Sequence, residues 1–232
     1  MNALRLSSPI LGSLLRAALL AVTLAPLDAQ AQAKPDAITR QIAWDGSESL
    51  ILDVPANVRF VQAPGPGSVV VTGPRRSVET FTASGGVLRD RTLHTGQRLE
   101  VVVTAPRITR FSVKGGDRLL IEGFDQEELH IETTGRADVK ADGRVNTVRL
   151  NLQGSGWADL GQVKTTGAEV KLTGRRNAII APTAWARLSG NGDVVLLTKP
   201  ADLTTDFGDS GRVIHVRPSA QSSEISPIIN RK

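Results

Sequence analysis

Cysteine and tyrosine are absent from the 232 residues, and methionine occurs once. Without a thiol there is no disulfide framework, no thiolate metal site and no cysteine for a lipid to modify, so the mature chain is expected to be soluble rather than lipid-anchored. Three tryptophans and five phenylalanines are the whole aromatic complement, which argues against a broad aromatic binding surface. No run of five or more like charges occurs, and the formal net charge is only +5. That balance gives no reason to expect a nucleic-acid partner; it suits mild attraction to envelope polyanions and plain solubility alike. The Gly-x-Ser-x-Gly, P-loop and dinucleotide fingerprints are missing too.

Long apolar runs are scarce. The longest stretch without a charge near the start, residues 17–27, is shorter than the roughly 20 residues a spanning helix needs. It follows Arg5 and Arg16 and precedes Ala29-Gln30-Ala31-Gln32-Ala33, two overlapping small-x-small sites. This is the three-part build of a secretory signal peptide, so residues 1–33 are expected to be removed after Ala31 or Ala33 and the protein to be exported, to the periplasm or the cell surface. Cleavage after Ala33 leaves 199 of the 232 residues, enough for one domain with a substantial core. No second apolar segment suggests a membrane span in the mature chain.

What remains is a succession of short runs rich in Val, Ile, Leu and Thr, such as Leu50-Ile51-Leu52-Asp53-Val54 and Leu99-Glu100-Val101-Val102-Val103, separated by Gly, Asp, Asn and Pro. β-Branched runs of that length between turn formers read as strands. In the second half a glycine turn recurs at Gly115, Gly135, Gly154, Gly174, Gly190 and Gly208, with spacings of 20, 19, 20, 16 and 18. A unit of about 19 residues cannot bury its own apolar face and must stack on its copies. The expected fold is therefore all-β, a right-handed parallel β-helix, with an antiparallel β-sandwich as the alternative. The expected divisions are a linker at residues 34–44, a domain at 45–218 made of irregular cap strands (45–110) and repeat coils (111–218), and a loose tail at 219–232.

The order of these features resembles the putative autotransporter adhesin head domain, or GIN domain, of bacterial exported proteins. The resemblance rests on Asp53-Val54-Pro55-Ala56-Asn57-Val58-Arg59-Phe60, on Gly86-Val87-Leu88, on the apolar strand from Leu99 that ends in Pro106, and on the corners Gly154-Ser155-Gly156 and Gly190-Asn191-Gly192-Asp193. It implies a pectin-lyase-like solenoid without that fold's catalytic residues, and suggests adhesion. Arg136, Arg175 and Arg176 depart from the Gly-x-Gly corner and suggest a more basic face.

Four constellations are open to a chemical reading. Asp138, Asp159, Asn177 and Asp193 each precede a post-corner strand and would form a column, able to bind Ca²⁺ or act as the paired acids of a polysaccharide lyase or hydrolase, or else to tie down their own turns. His94, His130 and His215 stand 36 and 85 residues apart with no partner at metal or triad spacing. Trp157 and Trp185 flank corners and read as sugar platforms or as covers between coils, while Trp44 lies in the lead-in. Arg136, Arg175 and Arg176 read as a clamp for an anionic glycan or as solvated corner residues. No residue is assigned as catalytic, cofactor-binding or metal-binding. The expected function is a non-catalytic envelope or surface module that binds a cell-envelope glycan or a surface protein; the alternative is a polysaccharide-active enzyme. Ligand and oligomeric state are not legible.

Overall fold

In the computed structural model, residues 37–90, 98–115, 117–208 and 210–216 are described. Residues 1–33, expected to be a signal peptide, His94 and the expected tail at 219–232 lie outside them. The leading strands are β1 (Ala37–Ala43), β2 (Ser49–Asp53), β3 (Ala56–Gln62) and β4 (Ser68–Pro74), followed by one short helix, α1 (Arg75–Thr80). Next come β5 (Thr82–Ser84), β6 (Val87–Arg89), β7 (Leu99–Ala105), β8 (Arg110–Lys114) and β9 (Arg118–Thr134). The last are β10 (Asp138–Ile180), β11 (Pro182–Gly190), β12 (Asp193–Leu196), β13 (Asp202–Phe207) and β14 (Arg212–His215). All fourteen join one sheet. The all-β expectation holds. No helix among the described residues is long and apolar enough to cross a membrane.

The sheet is mixed. Antiparallel pairing is confined to β1 with β4, β4 with β7, and β5 with β6; the remaining strand pairs are parallel. Two ladders share the long strands, because β9 and β10 each bend at a glycine of positive φ, Gly123 (+63°) and Gly143 (+129°). The first half of β9 lies beside β3 and its second half beside β8. Beyond β9 each rung pairs with a segment 16 to 20 residues further along: Arg118 faces Asp138, Leu129 faces Val148, Asn177 faces Asp193 and Asp193 faces Arg212.

The spacing is enforced at the glycine corners by direct backbone contact. A Cβ on Gly135 would stand 3.2 Å from the backbone of Gly115, and Cβ atoms on Gly154 and Gly174 would overlap the carbonyl oxygens of Gly135 and Gly154. These four residues have φ of +84° to +104°, where an L side chain is strained even without the clash. The alignment then shifts: Gly190 sits opposite Leu172, two residues short of Gly174, and the Gly208 amide donates to the Gly190 carbonyl at 2.9 Å. The 16-residue spacing thus marks a shorter loop between rungs, not a fifth copy of the same corner.

Inside, alternate residues of every rung form one continuous apolar cluster, including Leu119, Ile121, Leu129, Ile131, Leu150, Val170 and Leu188, each worth roughly 1.5–3 kcal/mol when fully buried. Phe60, Phe111 and Phe124 stack edge to face at 5.2 and 6.4 Å between centroids. The other corner is stitched by threonines. Thr165 donates to the Asn146 carbonyl at 3.1 Å, Thr183 to that of Thr165 at 3.2 Å, and Thr198 to that of Pro182.

The leading part is more ordered than irregular cap strands. β2 and β3 extend the parallel ladders, and residues 37–43, expected within a linker, form β1. Helix α1 buries Val78 beside the buried Phe81, and Arg40 donates to the carbonyls of Val78, Glu79 and Phe81 at 3.3–3.4 Å, where the helix end leaves acceptors unpaired. The corner geometry predicts that Gly154→Val lowers stability by about 2–4 kcal/mol. Denaturant melts of the mature chain read this directly; an unchanged midpoint would contradict the backbone contact.

Candidate functional site: a charged groove on the outer face

Outward side chains of the second ladder follow its register. Arg110 of β8 lies opposite His130 of β9, and His130 opposite Arg149 of β10. The three line a groove of about 530 Å³ together with Arg107, Glu127 and Glu128. Strands hold the floor rigidly, which places such side chains more narrowly than loops do. Arg149 is fixed between two carboxylates, Glu128 at 2.8 Å and Glu169 at 3.8 Å, and Arg107 pairs with Glu48 at 3.4 Å. Glu127 accepts from the Asn146 amide. The Arg110 guanidinium makes no ion pair among the described residues. The groove therefore offers planar donors and acceptors in near charge balance, a set suited to hydroxyl-rich or mixed polar ligands. Beyond it on the same face, Trp185 lies against the bare backbone of Gly167, and Arg187 stands 5.5 Å from the centre of its ring.

The four Asx residues do not form one column. Arg136 bridges Ser155, and carrying that register two residues forward sets Asp138 beside Trp157, not Asp159. On its other side Asp138 faces Arg118. Asp159 accepts from the Gly161 amide at 3.0 Å, which is the turn-tying role. Only Asn177 and Asp193 are neighbours, and Asp193 pairs with Arg212 at 3.1 Å. Among the described residues no group of three or more His, Asp or Glu is placed to hold a metal ion. His130 and His215 lie on different ladders. Trp44 is buried and donates to the Ser47 carbonyl at 3.0 Å, covering the core, whereas Trp157 stays exposed.

The basic clamp is overturned at its centre. Arg176 is 1% exposed. Its guanidinium donates to the carbonyls of Ala137 at 3.0 Å, Gly135 at 2.7 Å and Gln153, so it ties its own rung to the two before it. Gly156 leaves the room, since a Cβ there would stand 2.8 Å from Arg176 Nη1. Burial pulls this guanidinium below its ordinary pKa, and Asp138 opposes the shift. Arg136 remains on the surface; the Arg175 side chain lies outside the described set. Arg176→Leu is expected to cost about 3 kcal/mol in a denaturant melt, because buried carbonyls lose a charged donor, while ligand affinity per folded molecule stays unchanged.

A second buried charge, missed from the sequence, is Asp117. It is 3% exposed, accepts from the Ala56 amide through Oδ1 at 3.2 Å, and leaves Oδ2 without a partner. Burial raises its pKa to about 7, against the lowering influence of the Ala56 amide and Arg98. The folded state thus holds a proton that the unfolded chain releases near pH 3.8. Stability from this group is complete below that pH and is lost as pH rises towards 7, at about 1.4 kcal/mol per pH unit. The melting temperature should accordingly fall between pH 5 and 7 in the native chain, and this component should vanish in Asp117→Asn; parallel melts of the two proteins check it.

Fold and groove together define an all-β scaffold whose parallel rungs carry charged side chains in fixed outward rows. The chain belongs to the family described as "Putative auto-transporter adhesin, head GIN domain", whose model matches residues 48–200, as the residue-level resemblance implied. A solved putative adhesin from Bacteroides fragilis NCTC 9343 superposes with a TM-score of 0.63 at 17% identity, covering 78% of this chain and 97% of that one. A putative adhesin from Parabacteroides merdae ATCC 43184 gives 0.49 at 14%, covering 79% and 98%. A putative lipid binding protein from Parabacteroides distasonis ATCC 8503 gives 0.48 at 12%, again covering 79% and 98%. Among curated proteins none matches.

Proposed function

We propose that the chain is an exported, non-catalytic envelope or surface module, a right-handed parallel β-helix that binds a cell-envelope glycan or surface protein through its outer face. The observation that carries this reading is the groove, in which Arg110, His130 and Arg149 stand in register on successive rungs. Membership of an adhesin head family supports the binding role. Long parallel ladders with a near-19-residue offset support the helical stack. The non-catalytic part draws on the Asx residues: Asp138 and Asp193 face arginines and Asp159 is committed to a turn, so these three carboxyl groups are not paired across a common space in the way glycoside hydrolysis requires. Export is proposed from the charged, apolar and small-residue segments of residues 1–33, with the mature domain beginning shortly after them.

The test uses the chain secreted from a Gram-negative host. N-terminal sequencing should find Gln32 or Lys34 as the first residue. The mature protein should bind bacterial envelope preparations saturably and release no reducing or unsaturated ends from acidic polysaccharides. The double variant Arg110→Gln/His130→Gln should melt like the native chain and bind about tenfold more weakly. Product release, or equal binding by the double variant, would overturn the reading.

A further inference from the structure

Among the described residues, strand β13 pairs only with β11 and β14 only with β12, so at the far end of the ladders each has a row of backbone donors and acceptors with no strand partner among those residues. Three of the four large apolar residues exposed among the described residues, Leu203, Ile214 and Val216, lie on or directly beside these two strands. Neither strand contains the proline or lysine that commonly blocks edge pairing. At the opposite extreme of the sheet β5 is only three residues long and offers little edge.

Charge separates the two open strands. β13 bears Asp202 and Asp206, while β14 bears Arg212, whose side chain is 74% exposed although it also reaches Asp193. A surface with an acidic strand next to a basic one is complementary to itself when rotated by a two-fold axis, the condition for an isologous dimer. We propose that two copies of this chain associate end to end through β13 and β14, each acidic strand meeting the basic strand of the other copy. The pairing continues the ladders across the axis and covers Leu203 and Ile214. The two strands supply ten residues a side, below the 20–30 of a standard interface, so the dimer is weak and reversible. Two heads held together present two outer grooves at once, which raises avidity on a repetitive surface.

Sedimentation equilibrium on the full mature chain, from about 1 to about 200 µM, tests the proposal. The expected result is a monomer–dimer equilibrium in the tens of micromolar. It should weaken at least about tenfold in Leu203→Lys and in Asp202→Lys/Asp206→Lys, with circular dichroism unchanged. Lys171→Glu, on the flank, should leave it intact. A monomer throughout the range overturns the proposal. So does a dimer indifferent to the end variants, which would place the interface elsewhere. Protection of residues 217–232 from protease in a monomeric chain would assign the open end to the chain's own tail, and equally overturns it.

Discussion

Backbone lying directly on backbone at the glycine corners is the constraint from which the rest of the architecture follows. A Cβ on Gly135, Gly154 or Gly174 would press into the backbone of the glycine one corner earlier, and the register of each rung on the last is thereby fixed to a single residue. Strand side chains alternate, so a slip of one would turn the apolar columns outward. Threonines at the other corner repeat the fixation through side-chain hydrogen bonds to preceding carbonyls. Arg176 adds a third device by spanning two rungs at once. Each device acts between neighbours in the stack, as expected of repeats whose stability is largely a sum over interfaces.

Much of this is written plainly in the residues. β-Branched runs and the near-19-residue recurrence specify strands and their stacking, because a unit that short leaves an apolar face uncovered. The antiparallel β1 and the six-residue α1 are not legible: a helix of that length shows less than two turns of periodicity, and Ala37–Ala43 alternates weakly. The Asp column fails for an arithmetic reason. Asp159 follows Asp138 by 21 residues, whereas the local register is 19, and a difference of two keeps a residue on the same face but moves it to the next row.

Arginine and histidine show the same lesson from opposite sides. Arg175-Arg176 looks like a solvated pair, and nothing in the dipeptide betrays that one guanidinium enters the corner. The trace lies elsewhere, in the second glycine of Gly154-Ser155-Gly156, which vacates the space that Arg176 fills. His130 lacks a partner at any local spacing, yet adding or subtracting the repeat length leads to Arg149 and Arg110. In a stacked fold, neighbours on a surface are one period apart in the chain, and sites are found by reading down the columns.

Two buried ionisable groups give this scaffold an electrostatic asymmetry. Asp117 lies near the leading strands, with one oxygen unsatisfied, and its burial favours the protonated form. Arg176, two rungs and more beyond, is better provided with acceptors. The first destabilises the fold as pH rises, whereas the second exchanges water for carbonyls at little net change and mainly excludes other registers. Stability and register are thus settled in the interior and at the corners. The outward positions of the rungs carry none of that burden. Arg110, exposed and without an ion pair among the described residues, can therefore vary in chemistry without disturbing the ladder beneath it.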